Sequence, residues 1–155
     1  RVVQLGAGGG GSATAYALLK MGVGRLTLCD QHGVRARALA AHLCGLFGDG
    51  RAVASPDPLH AVAEAQGVVQ ATFVGMASHP GTPIPKAALR PEHWFAEIVY
   101  FPLETELLAH ARAIGCRTAD GTGMALYQAV RAFELFSGVT PDAEAMRRDF
   151  FALGV

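Results

Sequence analysis

Arg1-Val2-Val3-Gln4-Leu5-Gly6-Ala7-Gly8-Gly9-Gly10-Gly11-Ser12-Ala13-Thr14-Ala15-Tyr16-Ala17-Leu18-Leu19 decides the fold. A short apolar strand runs into a glycine loop, and the loop runs into a helical pattern. A G-x-G-x-x-G spacing alone is a weak signal. Between a strand and a helix it is the phosphate grip of a dinucleotide-binding fold. Gly6 permits the tight turn, and Gly8, without a Cβ, lets a pyrophosphate approach the backbone. Gly11 lets the helix lie close to the strand. Free N–H groups at the helix start then face the phosphates with the helix dipole behind them. A flexible linker would not be framed by apolar runs of two different periods.

Leu26-Thr27-Leu28-Cys29 reads as the second strand, with Asp30 at its end, 19 positions past Gly11. That is close to the spacing of about 20 expected for the acid that takes the ribose hydroxyls. A carboxylate there accepts hydrogen bonds from the 2′- and 3′-hydroxyls of NAD and repels the 2′-phosphate of NADP. Arg35 and Arg37 follow, which leaves the preference unsettled. Arg35 is expected on the adenine or along the ribose edge, and Arg37 on the solvated face of the next helix.

Composition narrows the alternatives. The 155 residues suit one domain, and 51% hydrophobic against 17% charged residues suits a largely buried parallel sheet. Thirteen basic residues balance thirteen acidic ones, so no basic field points to nucleic acid or an anionic membrane. No apolar run reaches the ~18 residues of a membrane span, and no signal peptide is expected. Cys29, Cys44 and Cys116 are far apart and lack metal-ligand spacing, as do the six histidines. The expectation is buried thiols, a cytoplasmic setting and no metal site. The start on Arg1, with the first strand following at once, suggests a domain of a longer protein.

The elements alternate. Strands are expected over Arg1–Leu5, Arg25–Cys29, Ala52–Ala54, Gly67–Ala71, Phe95–Tyr100 and Arg117–Ala119. Helices are expected over Gly10–Met21, Val34–Phe47, Pro58–Ala65, Thr105–Ile114 and Met124–Phe136. Gly22, Gly115 and Gly138 act as stops, and Ala38, Leu39, Ala41, Leu43 and Leu46 form the apolar stripe of the second helix. Pro80, Pro83, Pro85 and Pro91 mark a loop with a helical turn near Lys86–Leu89. Thr140 is expected to cap a last helix with Pro141 in its first turn. The alternation predicts an α/β fold, a doubly wound and mostly parallel six-stranded sheet of the Rossmann type. Ligands in such sheets sit outside the carboxyl ends of the strands. The glycine loop, Asp30, Thr72–Met76, Tyr100–Pro102 and Asp120–Met124 all fall on that rim.

The glycine loop, Ala71-Thr72-Phe73-Val74-Gly75-Met76, Ile98-Val99-Tyr100-Phe101-Pro102-Leu103-Glu104-Thr105 and Asp120-Gly121-Thr122-Gly123-Met124-Ala125-Leu126-Tyr127-Gln128-Ala129 occur in order. Together they resemble the cofactor domain of the shikimate dehydrogenase family, over nearly the whole chain. His79-Pro80-Gly81-Thr82-Pro83 and Glu104-Thr105-Glu106-Leu107-Leu108 look closest to the NAD-using quinate/shikimate dehydrogenases of actinobacterial type. Asp30 and Arg35 match that branch. The Asn-Arg-Thr type of segment carried by the strictly NADP-using branch is absent.

The resemblance implies an NAD(P)-binding domain over residues 1–155, with the substrate and catalytic domain elsewhere. Gly8, Gly9, Gly10 and Gly11 would hold the pyrophosphate, beside the turn at Gly6. Thr72, Phe73, Val74 and Gly75 would line the cofactor. Ile98 and Gly121 would flank the nicotinamide, with Met124 packed nearby. Tyr100 and Gln128 would reach the hydroxyls or carboxylate of a cyclitol acid. Gln70, Phe73 and Glu97 depart from the family's usual Asn, Pro and Asp.

The implied activity is reversible oxidation of a ring hydroxyl of quinate or shikimate to the 3-dehydro acid by NAD, in aromatic amino acid biosynthesis. Such oxidation needs a positioned base as well as a hydride acceptor. The family is described as using a Lys–Asp pair on another domain. Lys20 and Lys86 lie in no matching motif, and Asp120 and Glu97 have no basic partner in sequence reach, so no catalytic residue is assigned here. The partners expected are the substrate and that other domain, with a homodimer left open. The competing reading is a non-catalytic NAD-binding regulatory module with the same fold. Tyr100 and Gln128 argue against a third, a methylene-tetrahydrofolate type of dehydrogenase.

Overall fold

A computed structural model describes residues 1–152. Six strands form one parallel sheet: β1 (Val2–Leu5), β2 (Leu26–Cys29), β3 (Ala52–Ala54), β4 (Gly67–Gln70), β5 (Trp94–Glu97) and β6 (Arg117–Ala119), in the order β3-β2-β1-β4-β5-β6. The helices are α1 (Gly9–Lys20), α2 (Gly33–Phe47), α3 (Pro58–Glu64), α4 (Glu106–Ala113), α5 (Thr122–Ser137) and α6 (Ala143–Ala152), with a 3-10 turn at Lys86–Ala88. The doubly wound α/β expectation holds.

The pattern of burial follows position in the sheet. All residues of the central strands β1 and β4 are buried, because helices cover both faces there. The edge strand β6 is largely exposed. One core packs Val3, Val68 and Phe95 against Val62, Leu107 and Leu108 of α3 and α4. The other packs Val2, Leu26 and Leu28 against Ala15, Leu19, Ala40 and Leu43 of α1 and α2. Local signals set several ends. Gly22, at φ +97°, closes α1 with Val23 N–H donating to the Leu18 carbonyl and its own N–H to that of Leu19. The Thr105 hydroxyl accepts from Leu108 N–H at 3.1 Å and caps α4.

Three expectations need correction. The fifth strand ends at Glu97 rather than Tyr100. Its last bond to the neighbour is Ile98 N–H to the Gln70 carbonyl, 3.0 Å, and β4 ends there. On α2, Ala38, Ala41 and Leu46 are exposed, and the buried face is Ala36, Ala40 and Leu43. In so alanine-rich a helix, small apolar residues stand on both faces and do not mark one. Finally, Asp142 caps α6, its Oδ1 accepting from Glu144 N–H and Ala145 N–H at 3.0 and 2.9 Å. Thr140 and Pro141 lie before that cap.

The sheet order reverses between β1 and β4. The chain winds outward from β1 to β3, returns to pair Leu5 with Gln70, and winds outward the other way. The carboxyl ends of these two strands therefore diverge into loops on opposite sides of a crevice.

Candidate functional site

The glycine loop fills the start of that crevice. Gly6 sits at φ +99°, and a Cβ on it would lie 2.5 Å from the Ala71 carbonyl oxygen. A Cβ on Gly11 would lie 2.4 Å from the Gly6 carbonyl oxygen, so the first turn of α1 rests directly on the loop. Gly8 and Gly9 have open space where a Cβ would stand. No side chain caps the start of α1, and no acid stands in its first turn. An uncapped helix start facing open space suits an anion.

Three buried polar side chains tie this rim together. Gln4 Nε2 donates to the carbonyls of Gly6 and Gly11, both at 2.8 Å, and its Oε1 accepts from the Thr14 hydroxyl at 3.0 Å. Gln70 Nε2 donates to the Val74 carbonyl at 2.7 Å, and its Oε1 accepts from Thr72 N–H at 2.9 Å. Glu97 Oε2 accepts from the Thr105 hydroxyl at 2.8 Å. Each stands at or next to the last residue of its strand and holds the segment that follows. In sequence, Gln70 and Glu97 stand out as departures from the family pattern, whereas Gln4 does not. The available signal was a polar residue inside an otherwise apolar central strand.

The loop, Asp30 and the exits of β4 and β5 enclose a cleft of about 1000 Å³. Of the glycines, Gly6, Gly8, Gly9 and Gly10 line it. Asp30 and Arg35 line the β2 side, and Thr72, Phe73 and Val74 the β4 side. Ile98, Tyr100 and Met124 complete the other end. Ser55, Pro56 and Pro58, after β3, also line it, although the sequence pointed only to the other five exits.

Four expected residues stand elsewhere. Gly11 is buried beneath the loop. Gly75, at φ +103°, faces Thr105 with 3.2 Å between its would-be Cβ and the threonine methyl. Gly121 packs under the β5 exit, where a Cβ would lie 2.4 Å from the Val99 carbonyl oxygen. Gln128 is exposed on α5, one turn beyond Met124.

Asp30 has two tasks visible in the structure. Its Oδ2 accepts from Ala7 N–H and its Oδ1 from His32 N–H, both at 2.7 Å. It therefore clips the glycine loop to the end of β2 while facing the cleft. Cys29 beside it is a neutral thiol, pushed up to about 11 by burial and by the charge of Asp57.

Lys20 and Lys86 do not line the cleft, and Lys86 pairs with Glu106 at 2.5 Å. Asp120 does have a basic partner, contrary to expectation. Arg112 bridges it at 3.1 Å and Glu104 at 2.6 Å, and so joins the segments after β5 and β6. Arg112, near the end of α4, reaches both acids with the two terminal nitrogens of its guanidinium.

Glu97 is 4% exposed, and its Oε1 is buried without a hydrogen-bond partner. Burial pushes its carboxyl up to about 7, and the charge of Asp120 adds to this, against the Thr105 hydrogen bond and Arg112. A raised carboxyl stabilises the fold below its unfolded range near 4.5 and loses that contribution as pH rises through about 7. Glu97→Gln should therefore flatten the fall in stability between pH 5 and pH 8, by on the order of 1–3 kcal/mol. Urea unfolding of both proteins at the two pH values measures this. An unchanged difference between them would rule out Glu97 as the source.

An open, uncapped helix start, an acid at the end of β2 and an apolar wall at the exits of β4 and β5 define a Rossmann-type nucleotide-binding domain. Residues 121–148 match the family model described as the shikimate 5′-dehydrogenase C-terminal domain. The chain is 56% identical over 155 residues to a shikimate dehydrogenase (NADP(+)) of Streptomyces avermitilis, covering 99% of this chain and 53% of that protein. It is 48% identical over 159 residues to a quinate/shikimate dehydrogenase (NAD(+)) of Corynebacterium efficiens, covering 98% and 54%. Among solved structures, quinate dehydrogenase from Corynebacterium glutamicum in complex with NAD superposes with a TM-score of 0.92 at 47% identity, over 97% of this chain and 54% of that one. Over nearly its whole length the chain is similar to proteins of the shikimate/quinate dehydrogenase family. It spans about half the length of the curated relatives it matches.

Proposed function

We propose that residues 1–155 are the dinucleotide-binding half of an oxidoreductase that moves hydride between NAD and a ring hydroxyl of shikimate or quinate. The observation that carries this is the convergence of the open glycine loop, Asp30 and Tyr100 on one cleft at the sheet's reversal point. The cleft fits a dinucleotide: its volume is at the upper end for ligand pockets of about 300–1000 Å³, and its helix start lacks a cap. The relatives' names and the NAD-bound structural match support the reaction class.

In this reading the amides of Gly8 to Gly11 hold the pyrophosphate, and Asp30 takes the adenosine ribose with Arg35 beside it. Thr72, Phe73, Val74 and Gly75 bound the cofactor on the β4 side. Ile98, Gly121 and Met124 shape the nicotinamide end, Gly121 by letting the β5 exit approach α5. When bound, the nicotinamide supplies the hydride acceptor. Tyr100, 42% exposed at the mouth, offers a hydroxyl to a polyhydroxylated ring, and Gln128 offers an amide from the adjoining helix face. The proton-accepting base comes from a separate substrate domain.

The relatives divide between NAD and NADP in their names. Asp30 favours NAD here, because a fixed carboxylate at the ribose repels a 2′-phosphate. NAD should bind more tightly than NADP, and Asp30→Ala should narrow the gap by about 1–3 kcal/mol. Both affinities should also fall, since Ala7 N–H loses its acceptor. Equal binding of the two dinucleotides by the unaltered protein would refute this. The activity itself is tested by assaying the full-length protein with quinate and shikimate against NAD and NADP. Failure of every combination would overturn the dehydrogenase reading in favour of a regulatory nucleotide-binding module.

A further inference from the structure

We propose that Gln4 is the positioning residue of the phosphate-binding loop, holding it in its binding shape before any nucleotide arrives. This rests on reading the loop as a pyrophosphate grip. A primary amide at the centre of an apolar sheet is costly to bury unless its donors and acceptor are used. Gln4 is 0% exposed, and both hydrogens of its Nε2 are engaged, one by the Gly6 carbonyl and one by that of Gly11. These residues are the first and last glycines of the loop. The amide thus closes the loop from below, as a strut between its two ends.

The orientation of the amide is forced. Both neighbours of Nε2 are carbonyl oxygens, so only an NH₂ group can stand there. On its other side, Oε1 lies 3.0 Å from the Thr14 hydroxyl, whose single hydrogen is shared between it and the carbonyls of Gly10 and Gly11 at 3.1 Å. Helix α1 is thereby pinned to β1 through a polar contact. The consequence is directional. Drawing two carbonyls of the loop inward leaves the N–H groups at the start of α1 for the cleft, where an anion needs them, while those of Gly6 and Ala7 are taken by the Cys29 carbonyl and Asp30. Four consecutive glycines, three of them opening α1, would otherwise sample many backbone states, and ordering them on binding would weaken affinity.

Gln4→Met keeps the length of the side chain and removes its donors. ADP carries the pyrophosphate and adenosine does not, so the ratio of their affinities isolates the loop. With Gln4→Met, ADP should bind roughly tenfold more weakly while adenosine stays within about twofold. Thr14→Val, which removes the hydroxyl between Oε1 and the carbonyls of Gly10 and Gly11 and leaves the Nε2 strut in place, should weaken ADP roughly threefold with adenosine again unchanged. The measurements are calorimetric titration for ADP and NMR titration for adenosine. Unfolding of Gln4→Met would leave Thr14→Val to decide the matter. A folded variant that binds ADP as the unaltered protein does, or loses adenosine as steeply as ADP, would overturn the positioning role. An unaltered protein that binds no ADP would instead overturn the nucleotide-binding reading, and this role with it.

Discussion

Gly6→Ala is expected to cost about 2–5 kcal/mol of stability, enough to leave a marginally stable domain partly unfolded at 37 °C. Two independent penalties combine. Gly6 sits at φ +99°, a region that alanine enters only with strain. The added methyl would also meet the Ala71 carbonyl oxygen at 2.5 Å and its carbon at 2.7 Å. Those atoms are backbone at the exit of β4, which is paired along its length with β1 and β5. Neither side can retreat without breaking ladder bonds in the middle of the sheet. Gly8→Ala provides the contrast, because its Cβ would enter open space. It should leave the fold within about 0.5 kcal/mol and weaken nucleotide binding instead. Urea unfolding of both variants gives the answer. A Gly6→Ala protein as stable as the original would show that the loop can be rebuilt.

Phe95→Ala should cost about 3–5 kcal/mol. Phe95 is 0% exposed and heads the fully buried side chains by size. It sits on β5 between Val68 and Thr118 and belongs to the core formed with α3 and α4. Removing its ring takes away a large apolar area and leaves a cavity that two paired strands cannot close. Because β5 also launches Ile98, Val99 and Tyr100 into the cleft, nucleotide affinity should fall with stability. Phe95→Leu, which keeps most of the volume, should lose markedly less in urea unfolding. Equal losses for leucine and alanine would argue that the ring is not packed as described.

Much of the rim was legible in advance because its signals are local. A glycine at positive φ, an acid closing a strand and a threonine before a helix each act within a few residues. Gln4 illustrates the other kind of residue. Its position alternates in an apolar strand, but its partners Gly11 and Thr14 become neighbours only when α1 folds back over the loop. The end of β5 was misread for a similar reason. Phe95–Tyr100 continues as a good strand sequence, yet pairing stops where β4 turns away, and the released residues form the cleft wall. Arg112 and Asp120 are eight positions apart and meet because the chain turns after α4 and returns along β6.

The order of elements, the parallel sheet, the glycine loop between β1 and α1 and the acid at the second strand were determined by the sequence alone. Hydrophobic period and backbone stereochemistry act over short distances and need no partner. Only the tertiary structure decided which polar side chains brace the loop, where β5 stops and how the cleft closes. It also left Gln128 outside the cleft. These depend on groups distant in the chain sharing a low-dielectric rim, where a hydrogen bond that is made or missing decides the arrangement.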